Sequence, residues 1–376
     1  MPSSQGQTKV RKISDVIHDT LENQHVNLYI SGDIPMEASI AQVAAAAGVS
    51  IATVSRAFAR PDMVSEKTRT KVFTAADQLN YSISRSATSM KTGRAYRIAL
   101  LVSEDISTWF NSQLLSGLND VLHDDGYDIS IYPVVAPEER SRFFTELPVR
   151  RNADAVIVSS FNVNPDEVSR LQSVHIPIVG VNTPSSDGYD ATVSIDDRNG
   201  MRMVAEHLIA LGHERIAFVR HRLSPSIPHS ADLRIQGFEE ACREASHPVV
   251  PTTIYYDEEV DEPSDDLLSQ MLALKERPTA VCCVMDLMAI PLYFTMIRYG
   301  MHVPRDISLT GFDDSTYAKE SGLTTMRQDP AELGRCVAAK TLALIEGNTL
   351  ERPHELLATR LIIRNSTSSI EEPALN

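Results

Sequence analysis

From Arg97 onward, short apolar runs rich in β-branched residues alternate with longer stretches of helical period, and this alternation limits the possible folds more than any other feature. The spacing predicts strands over residues 97–102, 128–134, 154–158, 178–181, 216–219, 254–256, 280–284 and 307–310. It predicts helices over 111–124, 198–211, 233–245, 288–299 and 331–346. Strand, helix, strand at intervals of about 25–35 residues is the signature of right-handed βαβ units in doubly wound parallel sheets. All-helical and all-β folds are excluded. Some 280 residues and eight strands suit two α/β lobes with a cleft between them better than one sheet.

The 35 basic and 50 acidic residues give the 376-residue chain a net charge of −15, which, spread evenly, would argue against a nucleic-acid partner. The charge is not spread evenly. Residues 1–35 carry −1, residues 36–95 carry +4 and residues 96–376 carry −18. Within the basic segment, Ser39 and Gln42 form a capping box that opens a helix with an apolar stripe at Ile40, Val43, Ala44 and Ala47. Gly48 stops that helix, and Ser50 caps a second whose apolar residues Val54 and Phe58 lie four apart. A third helix over 65–79 closes the core with Val72, Ala76 and Leu79. This is the spacing of a helix-turn-helix, and the outer face of its second helix carries Ile51, Ala52, Thr53, Ser55 and Arg56, residues able to enter a major groove.

The run Val43-Ala44-Ala45-Ala46-Ala47-Gly48-Val49-Ser50-Ile51-Ala52-Thr53-Val54-Ser55-Arg56 continues into Val64-Ser65-Glu66-Lys67-Thr68-Arg69, Leu79-Asn80-Tyr81 and Ala87. Further on stand His207 through Ile216 around Gly212, Arg234 with Gly237-Phe238, Asp286 with Ala289, Val303-Pro304 through Gly311-Phe312-Asp313-Asp314, and Arg364 with Ser366-Thr367. Over residues 39–367 these motifs resemble the LacI/GalR family of bacterial transcription regulators. The resemblance implies an N-terminal helix-turn-helix domain over 39–84, a hinge over 85–95, and a periplasmic-binding-protein-like sensor and dimerisation domain over 96–376. It places lobe 1 at about 96–194 and 329–353, and lobe 2 at about 195–328 and 354–376. Residues 1–38 form an extension outside the resemblance, and Met36 is an alternative start.

By the same resemblance, Ile51, Ala52 and Arg56 face base edges, while Ser50, Thr53 and Ser55 hold phosphates. The chemistry agrees, since an Arg reads guanine bidentately and an Ala packs on a thymine methyl. Ala87 and Met90 are implied as hinge residues, with Met90 where the family wedges a Leu into the minor groove. Ile83 and Ser84 depart from the family's Pro and Asn. One recognition helix reads few base pairs, so a homodimer on a pseudo-palindromic operator is expected, with a tetramer as the alternative.

For the sensor, resemblance to the sugar-binding members of the family implies Trp109 and Phe110 in a loop after the first strand, stacking on a sugar face. Arg234 is expected to donate two hydrogen bonds to hydroxyls or an anionic group, Asp313 to accept from a hydroxyl pair, and Gln328 to add one bond. Met285 stands where the family often has Asn, pointing away from an ordinary pentose or hexose. The effector is thus read as a sugar or sugar derivative, and repression as the family default. Activation or global regulation through a protein partner is the alternative.

An enzyme is the first rival, but no G-x-G-x-x-G, G-x-x-x-x-G-K-[ST], G-x-S-x-G or H-E-x-x-H motif occurs. His207 and His213 are six apart with Gly212 between them, which places them on different faces and makes a shared metal unexpected. No cofactor is expected. An extracytoplasmic sugar-binding protein is the second rival, and the basic module and the absence of a signal-like apolar segment oppose it. Cys242, Cys282, Cys283 and Cys336 lack C-x-x-C spacing, and no stretch approaches a membrane span, so a cytoplasmic protein without membrane contact is expected.

Overall fold

The computed structural model describes residues 38–59, 61–81, 92–134, 136–222, 229–257 and 259–370. The chain divides into two compact units, Met1–Thr88 and Ser89–Asn376.

In the first unit, α1 spans Ile40–Ala47, α2 Ile51–Ala59 and α3 Glu66–Gln78. The capping box forms as its residues require: the Gln42 N–H donates to Ser39 Oγ, and Gln42 Oε1 accepts from the Ser39 N–H. Gly48 ends α1 in the left-handed conformation at φ 67°, a position that favours the residue without a Cβ. Val43, Ala44, Ala47, Val54, Ala57, Val72, Ala75 and Ala76 make the core. Phe58 closes it, packing on Phe73 with ring centroids 5.0 Å apart.

The second unit holds two six-stranded sheets. The strands are β1 Arg97–Val102, β2 Asp128–Pro133, β3 Ala155–Ser159, β4 Ile178–Val181, β5 Ala191–Ile195, β6 Arg215–His221, β7 Val250–Tyr256, β8 Ala280–Cys283, β9 Ser308–Asp313, β10 Thr324–Arg327, β11 His354–Leu357 and β12 Arg360–Ile362. Lobe 1 has the order β11-β5-β4-β3-β1-β2 and lobe 2 the order β12-β10-β9-β8-β6-β7. Every pairing is parallel except that of β12 with β10. The central strands β1, β3, β4, β8 and β9 are buried almost throughout, as sheets covered on both faces require. The covering helices are α4 Trp109–Leu122, α5 Pro137–Arg150, α6 Pro165–Gln172, α7 Asp197–Ala210, α8 Ser230–Glu244, α9 Pro263–Ala273, α10 Asp286–Arg298 and α11 Pro330–Ile345.

Four strands escape the periodicity: β5, β10, β11 and β12. Thr and Ser in β5 and β10 weaken the apolar signal, and β11 and β12 are short, half-exposed edge strands. Helices α5, α6 and α9 were also not anticipated. The chain passes between lobes after β5, after β10 and between β11 and β12. The third passage corrects the boundary expected at 353, because β11 pairs with β5 in lobe 1 and the chain leaves that lobe only beyond Leu357. His213 helps to hold the C-terminal segment, with Nε2 3.0 Å from Ser308 Oγ and 3.1 Å from the Ser368 carbonyl oxygen. His207 Nε2 lies 3.0 Å from Thr367 Oγ1. Both histidines therefore have structural partners that join the α7–β6 region to residues 367 and 368.

Candidate functional sites

In the first unit, α2 presents a mixed polar and small-residue face. Ile51, Ala52 and Arg56 are exposed, Thr53 and Ser55 half-exposed, while Val54 and Ala57 are buried on the opposite side. Ser50 caps the helix, its Oγ accepting from the Thr53 N–H at 3.1 Å and lying 2.9 Å from Thr53 Oγ1. Both hydroxyls thus sit at the positive end of the helix dipole, an arrangement suited to phosphate oxygens. Ile51 is 51% exposed, a large apolar side chain kept in solvent at the start of this face. Ala87 and Met90 lie outside the described residues, as does most of the expected hinge.

In the second unit, a cavity of about 350 Å³ opens between the lobes. It is lined from the carboxyl ends of the parallel strands: Trp109 and Phe110 beyond β1, Ser160 after β3, Asn182 after β4, Val284 after β8, Asp313 at the end of β9, and Gln328 after β10. Open α/β sheets place ligands at these strand ends. All five residues expected to meet an effector line this one cavity: Trp109, Phe110, Arg234, Asp313 and Gln328.

Two of these expectations change in detail. Trp109 is not in a loop but is the first residue of α4, which Thr108 caps by accepting from the Asn111 N–H at 3.4 Å. Arg234 is not a free bidentate clamp, because two of its donors already have partners within the protein. Its Nε donates to Asp197 Oδ1 at 2.6 Å and its Nη1 to the Val284 carbonyl at 2.7 Å, with the guanidinium 3.7 Å from the Phe312 ring centroid. The cation reaches the cavity wall already fixed in place by α7, β9 and the β8 end.

Asp313 is buried and adopts φ 130°, a strained backbone for a residue with a side chain. Its Oδ1 accepts from Gln328 Nε2 at 2.7 Å and lies 3.8 Å from Arg234 Nη1. Burial pushes its carboxyl up to about 8, opposed by Arg234 and reinforced by Asp286 and Asp197. Asp314 does not share this environment, being engaged by Arg327 and Arg364. Gln328 Oε1 is buried without a hydrogen-bond partner among the described residues, and a ligand donor would satisfy it.

The sequence reading missed Asp197, Asp286 and Asn182. Asp286 is fully buried, accepting from Thr325 Oγ1 at 2.7 Å and the Ser315 N–H at 2.8 Å, and burial raises it to about 6. Asn182 joins the lobes, its Nδ2 donating to Ser230 Oγ at 3.3 Å while its Oδ1 accepts from the Ile195 N–H. Asp286 stood within a recognised motif, but no local signal separates Asp197 from its neighbour Asp196.

The sign of the Asp313 shift sets a pH dependence. Its unfolded value is about 3.9, so between roughly 4 and 8 the folded chain holds more protons, and stability falls as pH rises through that window. Melting temperatures at pH 6 and pH 8 should drop more for the wild type than for Asp313→Asn. An equal drop in both would show that this carboxyl is not the source.

Residues 39–84 match the family described as "Bacterial regulatory proteins, lacI family", and residues 205–367 match "Periplasmic binding protein-like domain". The HTH-type transcriptional repressor CytR of Escherichia coli (strain K12) is 29% identical over 335 residues, covering 89% of this chain and 97% of the relative. Residues 39–84 thus carry the helix-turn-helix of the lacI family of bacterial regulatory proteins. Among solved structures, a lac repressor dimer bound to operator and the anti-inducer ONPF matches with TM-score 0.73 and 25% identity, covering 89% of this chain and all of that one. A complex of the transcriptional regulator CelR with cellobiose matches with TM-score 0.61 and 26% identity, covering 88% of this chain and all of that one. The chain is accordingly a DNA-binding transcriptional regulator with a two-lobed, periplasmic-binding-protein-like domain, and its relatives are regulators rather than enzymes.

Proposed function

We propose that this lacI-family regulator is a cytoplasmic repressor that binds a pseudo-palindromic operator as a homodimer and responds to a sugar-like effector in the interlobe cavity. The observation that carries the effector reading is the convergence of Trp109, Phe110, Arg234, Asp313 and Gln328 on one cavity, with a Gln328 Oε1 in its wall that has no partner among the described residues. On the DNA side, Ile51, Ala52 and Arg56 would meet base edges, with Ser50, Thr53 and Ser55 at phosphates. Ala87 and Met90 would lie at the operator centre. The relatives support repression and dimerisation: CytR is named a repressor, and the lac repressor structure is a dimer on its operator. The CelR complex with cellobiose supports a saccharide in the cavity.

Genome-wide mapping of bound DNA tests the operator. It should return one two-fold motif whose half-sites lie about one helical turn, or 10 bp, apart or a multiple of that. Gel-shift titration with metabolites from the adjacent genes then tests the sensor, because an effector must change operator affinity. Motifs without two-fold symmetry would remove the dimer reading, and complete indifference of the operator complex to such metabolites would remove the sensor reading.

A further inference from the structure

The interlobe cavity has two unlike parts. Arg234, Asp313, Gln328 and Asp286 make one of them polar and hydrogen-bonded. The other comes from the start of α10, through Met285, Leu287, Ile290 and Pro291, together with Tyr317. Leu287 is 51% and Tyr317 68% exposed, so two large apolar side chains stand in water at a cavity wall.

Two rules of helix formation are broken in the same stretch. Met285 occupies the N-cap of α10, where Ser, Thr, Asp or Asn would accept a hydrogen bond from the first turn, and it accepts none. Pro291 lies inside α10, where it offers no N–H to the Leu287 carbonyl and its ring crowds that carbonyl. Met285 is half-buried and Pro291 exposed, and both line the cavity. Met285 rests partly on the core, but Pro291 is exposed, and departures from local preference at a cavity wall are expected where a chain is shaped for a ligand.

We propose that the effector is a two-part molecule: a hydroxyl-bearing ring held by the polar part of the cavity, joined to an aromatic or aliphatic substituent that covers Met285, Leu287, Pro291 and Tyr317. The inference rests on the effector reading above and narrows its ligand class. A bare polyol would leave these side chains against water, whereas an apolar substituent removes them from it, with a gain that grows with the area covered.

Trp109 is the only tryptophan of the chain and lines this cavity, so its fluorescence reports occupancy of the full-length protein. The probes are methyl and phenyl glycosides of glucose, galactose, xylose and ribose, each pair sharing one sugar. For at least one sugar, the phenyl form should bind about tenfold more tightly than the methyl form, which is what covering roughly 60 Å² of apolar surface is worth. Leu287→Ser and Tyr317→Ser alter exposed positions, and each should cut that ratio to about threefold or less. Equal affinities for the methyl and phenyl forms of every sugar that binds would overturn the two-part ligand and leave the effector reading standing. So would a ratio unchanged in both variants. Silence of Trp109 toward every glycoside would overturn the sugar-like effector and this inference with it.

Discussion

Arg56→Ala is expected to weaken operator binding by about ten- to a hundredfold at fixed salt, the range for losing one bidentate contact to guanine. Arg56 is exposed on the face of α2 opposite Val54 and Ala57, so the substitution removes a contact without disturbing the core of its unit. Fluorescence anisotropy on operator and on scrambled DNA separates the two roles an arginine can have. A base reader loses affinity mostly on operator, and Arg56→Lys does not restore it, because an ammonium is a point charge rather than a fork. A phosphate anchor loses affinity equally on both DNAs and lowers the salt slope by about one. Equal losses on operator and scrambled DNA would therefore refute the base-reading role.

Gly237→Val should destabilise the second unit by about 3 kcal/mol or more, at the top of the range for overpacking. A Cβ at Gly237 would stand 1.9 Å from the Arg198 carbonyl oxygen, a backbone atom that cannot rotate aside. α8 must then move off α7. Those helices carry the two halves of the buried Arg234–Asp197 pair, so the same displacement should pull the guanidinium from its carboxylate and weaken effector binding. Denaturant melts measure the first effect, and titration of Trp109 fluorescence with an effector measures the second. A variant as stable as the wild type would show that the two helices can separate at little cost.

The −15 charge of the whole chain illustrates what a sequence average conceals, since the basic reading head and the acidic body answer to different partners. The helix-turn-helix was legible because its determinants are local. A capping box spans four residues, a left-handed stop needs one Gly48, and an apolar stripe follows from 3.6-residue spacing. The parallel sheets were legible for a related reason, since central strands buried on both faces read as unbroken apolar runs. Where strands were short, hydroxyl-rich or at an edge, as with β11 and β12, the pattern faded and the third passage between lobes was set a few residues early.

Residue types also carried part of the cavity. A family resemblance points to Trp109, Phe110, Arg234, Asp313 and Gln328, and they converge although up to 219 positions separate them. What stayed hidden was how each is held. Arg234 was expected to be open to ligand, yet Asp197 and the Val284 carbonyl restrain it.

The sequence by itself determined the division into a basic three-helix head and an acidic two-lobed body, because capping, turn chemistry and periodic apolar burial act over a few residues at a time. Only the tertiary structure decided which carboxyls are buried together. Asp197 on α7, Asp286 on α10 and Asp313 on β9 lie far apart in sequence, and the burial that raises all three carboxyls exists only once these elements of lobe 2 have packed together.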